Sequence, residues 1–244
     1  MHNKMRQLLQ LIIDNHDRDS TIRAESKGDR AAVYMDGVID PWFGISAHAV
    51  GRTLEDIGGL DIDIYLNSPG GDVFEGRAIQ TRLKRYTGNV SVHIDGLAAS
   101  AATTVALGGD RRVIAEGAFW MIHNSWTLGF GDRNDLRKTA DLLEQIDDAI
   151  GSDYAAVTGE ERNQIVSWMD GETWFSATDA KRLGFVHDIF TSDDSAAANN
   201  RSAWNLAAYK NAPKALTERP KPEPDARQNR ARLGQYIDML ERIG

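Results

Sequence analysis

A serine, a histidine and a glycine pair carry the chemistry that this chain can offer. Ser100 stands in "DGLAASAATTVALGG", His123 in "FWMIHNSW", and Gly70 and Gly71 close "LNSPGG". A serine hydroxyl becomes a nucleophile when a neighbouring base takes its proton, and histidine suits that task near neutral pH. The reaction then puts negative charge on a carbonyl oxygen, which backbone N–H groups can bind. Ser100 is flanked by "LAA" and "AAT", small residues that let a substrate backbone come close. Each feature also has an ordinary reading. Serine is a favoured helix N-cap, a histidine at a strand end is commonly a half-buried core residue, and a glycine pair after a strand is commonly a tight turn. Their occurrence at neighbouring strand ends is what points to catalysis.

The elements that must position them alternate in type. "AAVYMDGVI", "LDIDIYLN", "NVSVHIDG" and "AFWMIHN" read as strands; "SAHAVGRTLEDI", "EGRAIQTRLKRY" and the short "SAATTVALGG" read as helices. This βαβα order predicts an α/β domain with a largely parallel sheet. In such a sheet ligands sit at the carboxyl ends of the strands, where "SPGG", "DGLAAS" and "MIHNS" lie. A long helix is predicted from about Asp132 to Tyr154, with a narrow stripe of Leu136, Leu143, Ile146 and Ile150. A second begins near "TGEERNQIVSWM", where Thr158 and Glu161 have capping-box spacing. A third, started by Ser176 in "SATDAKRLGFVHDI", stops at Gly184 before a last strand.

The chain has 244 residues, of which 41% are apolar, enough for one sizeable core. It carries no cysteine, which removes disulfides, thiolate metal sites and a cysteine nucleophile. A net charge of −8 gives no support to nucleic acid as a partner. No His/Asp/Glu cluster has metal-ligand spacing, so neither metal nor cofactor is expected. The opening "LLQLII" is too short to span a membrane and reads as an amphipathic arm over residues 1–27. The α/β domain is expected over 28–190. Residues 191–225 hold four of the six prolines and read as an extended linker. Residues 226–244 regain helical periodicity through Leu233, Ile237, Leu240 and Ile243.

Four stretches, "LNSPGGDVFEG", "DGLAASAATTVALGG", "FWMIHNSW" and "GETWFSATDAKRLGFVHDI", resemble the Clp proteolytic-subunit superfamily of serine peptidases, over roughly residues 30–190. The resemblance implies that superfamily's fold, a spiral of ββα units shared with crotonase enzymes, with the long helix as its protruding handle. It implies Ser100 as nucleophile, His123 as general base, and the N–H groups of Gly71 and Ala101 as oxyanion hole. Substrate would pair in extended form with backbone near Gly70, Asp72 and Val73, and near Asn124, Ser125 and Trp126. A side chain at Gly71 would then block the scissile carbonyl. For the acid, alignment on Ser176 and Ala177 selects Glu172, where Clp subunits carry Asp; Asp170 is the alternative. A glutamate there demands a shifted backbone.

The "SPGGDVFEG" and "GETWFSA" forms, the charged arm and the added tail look more like the phage and prophage head maturation (prohead) proteases than like a housekeeping Clp subunit. That branch implies an ATP-independent endopeptidase cutting scaffold or capsid proteins, as a homo-oligomeric ring, in a bacterial cytoplasm or an assembling prohead. The tail would bind scaffold or be self-cleaved, with "DDSAAANN" as a cleavage site. The alternatives are a Clp-like subunit fed by an ATP-driven unfoldase, a crotonase-like acyl-CoA enzyme, and an inactive structural ring protein.

Overall fold

The computed structural model describes residues 21–191, 204–206 and 209–217. The greater part of the predicted arm (1–20), the "DDSAAANN" stretch and the predicted C-terminal helix (226–244) lie outside them.

One eight-stranded mixed sheet organises the α/β fold. β1 (Thr21–Lys27) pairs antiparallel with β2 (Arg30–Asp36). β2, β3 (Asp61–Ser68), β4 (Val90–Ala99), β5 (Arg111–Ala115) and β8 (Asp188–Phe190) follow in parallel. The arm predicted to end at residue 27 therefore contributes its last seven residues as an edge strand.

β4 forks. Its first half, Ser91 to Ile94, pairs with β5, and its second half, Leu97 to Ala99, pairs with β6 (Phe119–Ile122). β7 (Thr173–Ser176) adds antiparallel to β6. The fork carries the strand ends of β4 and β6 away from the main sheet together.

The alternation of "DIDIY" explains the sheet's two faces. Ile62, Ile64 and Leu66 are buried beneath the helices. Asp61 and Asp63 face the other way, where the Arg30 guanidinium donates to both. Tyr34, Tyr65 and His93 stack in a row on that outer face, with ring centroids 5.0 Å apart.

Helix ends follow their caps. α1 (Ala47–Ile57) starts at Ser46, whose side chain accepts from the Ala49 N–H, and stops at the left-handed Gly58. α2 (Val73–Lys84) is capped by Asp72. α3 (Ala101–Ala106) is short and wholly buried. α4 (Arg133–Thr158) begins with a capping box between Asp132 and Asp135 and ends at Gly159. Of its 26 residues only Ile150, Gly151 and Tyr154 are buried. The helix, about 39 Å long at 1.5 Å per residue, thus projects from the body as the expected handle.

The capping box expected at Thr158 and Glu161 does not form. Thr158 belongs to the last turn of α4, and Glu161 precedes α5 (Arg162–Asp170) without a capping hydrogen bond from its side chain. α6 (Ala177–Arg182) does start at Ser176, which caps the Asp179 N–H.

The tail departs from the linker reading. Trp204 and Leu206 are 4% and 2% exposed and pack on Leu97, Ala99 and Met121. Lys214–Thr217 form a single helical turn, α7. Proline density signals an absence of regular structure across 191–225; it does not prevent isolated aromatic residues from docking on a core.

Candidate active site

The β4–β6 register brings Ser100 and His123 together. Ala99 pairs with Met121, and the Ser100 N–H donates to the Met121 carbonyl at 2.9 Å. Both chains leave the sheet at the same level, and His123 Nε2 lies 2.8 Å from Ser100 Oγ.

Ser100 occupies the N-cap position of α3, yet its side chain caps nothing. Its φ of 54° and ψ of −125° form a sharp strand-to-helix turn outside the usual regions for a residue with a Cβ. Such strain costs of order 1–3 kcal/mol and persists only where surroundings impose it. Here Thr103 imposes part of it. Its N–H and Oγ1 both donate to the Ser100 carbonyl, at 2.9 and 2.6 Å. The ordinary N-cap reading of Ser100 is thereby replaced by a hydroxyl aimed at an imidazole.

The Gly71 and Ala101 N–H groups have no hydrogen-bond partner among the described residues, so two donors are left free beside Ser100. Gly71 (φ 146°) is also required by its own surroundings. A Cβ there would lie 2.0 Å from the Ile39 carbonyl oxygen. The Ile39 N–H donates to Gly70 O and the Asp72 N–H donates to Ile39 O, so Ile39 fixes the loop from behind. Gly70 is the glycine that touches the nucleophile: a Cβ there would lie 2.8 Å from Ser100 Cβ.

Of the two carboxylates, Glu172 is the one beside the base. It is 9% exposed, has a left-handed φ of 48°, and its charge raises the pKa of His123. Asp170 instead accepts from Asn124 Nδ2 at 2.7 Å. Burial outweighs Glu172, however, and takes His123 down to about 4.

The hydrogen bonds that Glu172 accepts come from elsewhere. Trp174 Nε1 (3.3 Å), Lys210 N (2.9 Å) and Asn211 N (2.7 Å) all donate to its carboxylate. Tyr209 lies edge-on to His123, with ring centroids 5.4 Å apart, and its hydroxyl donates to Pro69 O.

Of the residues predicted to meet substrate, Asp72, Val73, Ser125 and Trp126 line the approach cleft, whereas Gly70 and Asn124 do not border it. Ser100, His123, Gly71, Ala101, Asp72, Val73, Ser125 and Trp126 border a cleft of ≈ 360 Å³. One wall is apolar, made by Leu142, Leu143, Ile146, Ile150 and Tyr154 of α4. Asp72 is engaged as the α2 cap, and the Ser125 N–H donates to Asp147 at 2.6 Å. That amide is already used and is not free to pair with a substrate strand.

Sequence reasoning missed Thr103, Tyr154, Tyr209 and the tail amides. Trp204, Leu206 and Tyr209 in an otherwise small and polar stretch were the available signal. Among the described residues there is no cluster of His, Asp and Glu able to hold a metal, and no helix long and apolar enough to cross a membrane.

A forked α/β sheet with a serine–histidine pair at its seam defines a family. The Clp protease family model matches residues 54–193, more than half of the chain, and the chain belongs to that family. The "ATP-dependent Clp protease proteolytic subunit" of Bacteroides fragilis is 27% identical over 133 residues, spanning 54% of this chain and 64% of that protein. "ATP-dependent Clp protease proteolytic subunit 3" of Rhodococcus jostii is 33% identical over 135 residues, 54% of this chain and 66% of that protein. The match thus spans just under two thirds of either relative. A solved structure, a ClpP1 mutant from Listeria monocytogenes, superposes with a TM-score of 0.59 at 26% identity, over 77% of this chain and 98% of that one.

Proposed function

We propose that the chain is a serine endopeptidase, working without ATP, of the kind that matures phage heads by cutting scaffold or capsid proteins. The observation that carries the hydrolytic reading is the 2.8 Å Ser100–His123 pair on a strained strand-to-helix turn, next to two unpartnered amides.

In this reading neutral His123 accepts the Ser100 proton at Nε2 as Oγ attacks the scissile carbonyl carbon. The carbonyl oxygen gains the negative charge and receives the Gly71 and Ala101 N–H groups. Collapse breaks the C–N bond, and the imidazolium returns the proton to the leaving amine. Water, deprotonated by the same imidazole, then cleaves the acyl-enzyme. Glu172 is the acid that favours the imidazolium. The apolar α4 wall of the cleft favours a substrate with an apolar side chain near the cut bond.

The head-maturation assignment rests on motif forms and on the segments outside the family match, residues 1–53 and 194–244. A homo-oligomeric ring is proposed with it, since the exposed handle is otherwise an unsupported projection. The names of the relatives favour a second reading, a Clp-like subunit served by an ATP-driven partner. ATP-stimulated degradation of a folded substrate would select that reading. The crotonase-like and inactive alternatives leave the Ser–His geometry without a use.

The test is labelling with a serine-directed fluorophosphonate, read by intact mass. One adduct on the wild type and none on Ser100→Ala is expected. No adduct on the wild type or on any variant with the tail contacts opened, even after long exposure to excess probe, or equal labelling of wild type and Ser100→Ala, rejects the peptidase.

A further inference from the structure

Several of the tail residues that pack on the body reach the catalytic groups. Trp204 and Leu206 bury themselves against Leu97, Ala99 and Met121, which immediately precede Ser100 and His123 on their strands. From that anchor the chain reaches the site itself. Tyr209 packs edge-on to both His123 and Trp174, with centroids 5.4 and 5.7 Å apart. Lys210 N and Asn211 N donate to Glu172, and Asn211 Nδ2 donates to the Gly171 carbonyl at 2.8 Å.

We propose that the tail residues 204–206 and 209–217 form an intramolecular latch that fills the site beside His123 and holds Glu172 off the base, keeping the peptidase slow until they are displaced. The proposal rests on the serine-peptidase reading above.

Two physical consequences of the contact point in this direction. A carboxylate assists a histidine base when it accepts from the imidazole N–H, because it then stabilises the imidazolium as it forms. Here that carboxylate is instead satisfied by two tail amides and an indole N–H, which disperse its charge. Secondly, Tyr209 stands in the cleft wall, and its hydroxyl takes the Pro69 carbonyl, one residue before the glycine pair. An extended substrate approaching that loop meets the tyrosine first. Burial, and then the Glu172 charge, keeps the phenol above its ordinary pKa, so it remains a neutral donor.

The latch is made of backbone amides, a buried tryptophan–leucine anchor and one tyrosine, so it can be opened at three independent places in the full-length chain. Tyr209→Ala removes the plug, Lys210→Pro removes an N–H donated to Glu172, and Trp204→Ala with Leu206→Ala removes the anchor. The measurement is the second-order rate of fluorophosphonate labelling at Ser100, with far-UV circular dichroism as the check on folding. Each variant is expected to label at least about tenfold faster than the wild type, a small part of the roughly 10⁴-fold that a triad loses with its acid. A synthetic peptide of residues 204–217 added to the anchor variant is expected to slow labelling again, which a general loosening of the fold would not produce. Unchanged or slower labelling in folded variants, with the wild type reactive, overturns the latch alone; the tail would then complete the site. Unreactive Ser100 in every protein overturns the latch and the peptidase reading together.

Discussion

The Tyr154 hydroxyl lies 2.5 Å from Thr103 Oγ1. Because Thr103 spends its own proton on the Ser100 carbonyl, Tyr154 must be the donor of this pair. A chain of two hydrogen bonds therefore runs from the root of the handle helix to the carbonyl of the strained Ser100. Tyr154→Phe keeps the buried ring against Phe185 and removes only the donor. We expect a loss of about 1 kcal/mol in urea unfolding and a several-fold slower labelling of Ser100. Wild-type labelling in this variant would mean that the brace does not hold the turn.

The two carboxylates near the base should separate by function. Glu172→Gln is expected to reduce peptide hydrolysis more than Asp170→Asn, because only Glu172 acts electrostatically on His123, while Asp170 serves Asn124 at an exposed position. Kcat/KM for a fluorogenic peptide decides it, and the reverse order moves the assignment to Asp170.

His123 should make activity persist into acid. Its folded pKa is lowered from 6.5 to about 4, chiefly by burial, so the neutral base survives well below the usual histidine range. The acid limb of kcat/KM is expected near pH 4. Removing the plug with Tyr209→Ala exposes the ring and should move that limb upward. The same shift acts on stability. The unfolded chain binds the proton first, so the contribution is complete above pH 6.5 and is lost as pH falls through about 4. An acid limb near pH 6.5 in the wild type would contradict the buried base.

Gly70 should be intolerant where Gly28 is not. At Gly70 (φ 92°) a Cβ would meet Ala99 O at 2.5 Å and Ser100 Cβ at 2.8 Å; at Gly28 (φ 70°) it meets nothing within 4 Å. Gly28→Ala costs only the left-handed penalty of about 1 kcal/mol. Gly70→Ala must in addition move the nucleophile, and a displacement approaching 1 Å costs roughly 100-fold in rate. Comparable activity in the two variants would show that the loop yields without disturbing Ser100.

Asp95, at the fork of β4, is held up to about 6 by burial, against the influence of His93 and with that of Asp36. Here the folded state binds the proton more tightly. The contribution is therefore complete below pH 3.8 and is lost as pH rises through about 6. Asp95→Asn removes the cost of the buried charge. It is expected to stabilise the protein by roughly 1–3 kcal/mol at pH 8 and by nothing measurable near pH 4. A variant less stable than wild type at pH 8 would show that the carboxylate has a charged partner.

Much of the sheet and the Ser–His pair was legible because alternation and small-residue patterns are local. "DIDIY" declares a half-buried strand wherever it lies, and the paired strand ends follow from the βαβ order. The forked pairing of β4 was not legible: no local pattern distinguishes a strand that keeps one neighbour from one that changes neighbours halfway. β7 and the edge strand β1 are short or charged, so their pairing is imposed by tertiary contact. The role of Gly71 could be read as a backbone requirement, but the atom that enforces it, the Ile39 carbonyl, sits 32 positions away. The tail was misjudged because proline density dominated the reading of a stretch whose few aromatics decide where it goes.

The forked sheet has one more consequence. Ser100 and His123 leave adjacent strands of a single ladder, so their separation is set by main-chain geometry and survives changes in surrounding side chains. Glu172 is held differently, at a left-handed position just ahead of β7, within reach of whatever segment lies alongside. A lineage can therefore exchange aspartate for glutamate there, or place the third group under the command of a new appendage, without rebuilding the reacting pair. Control can evolve at the turn while the chemistry stays fixed in the strands.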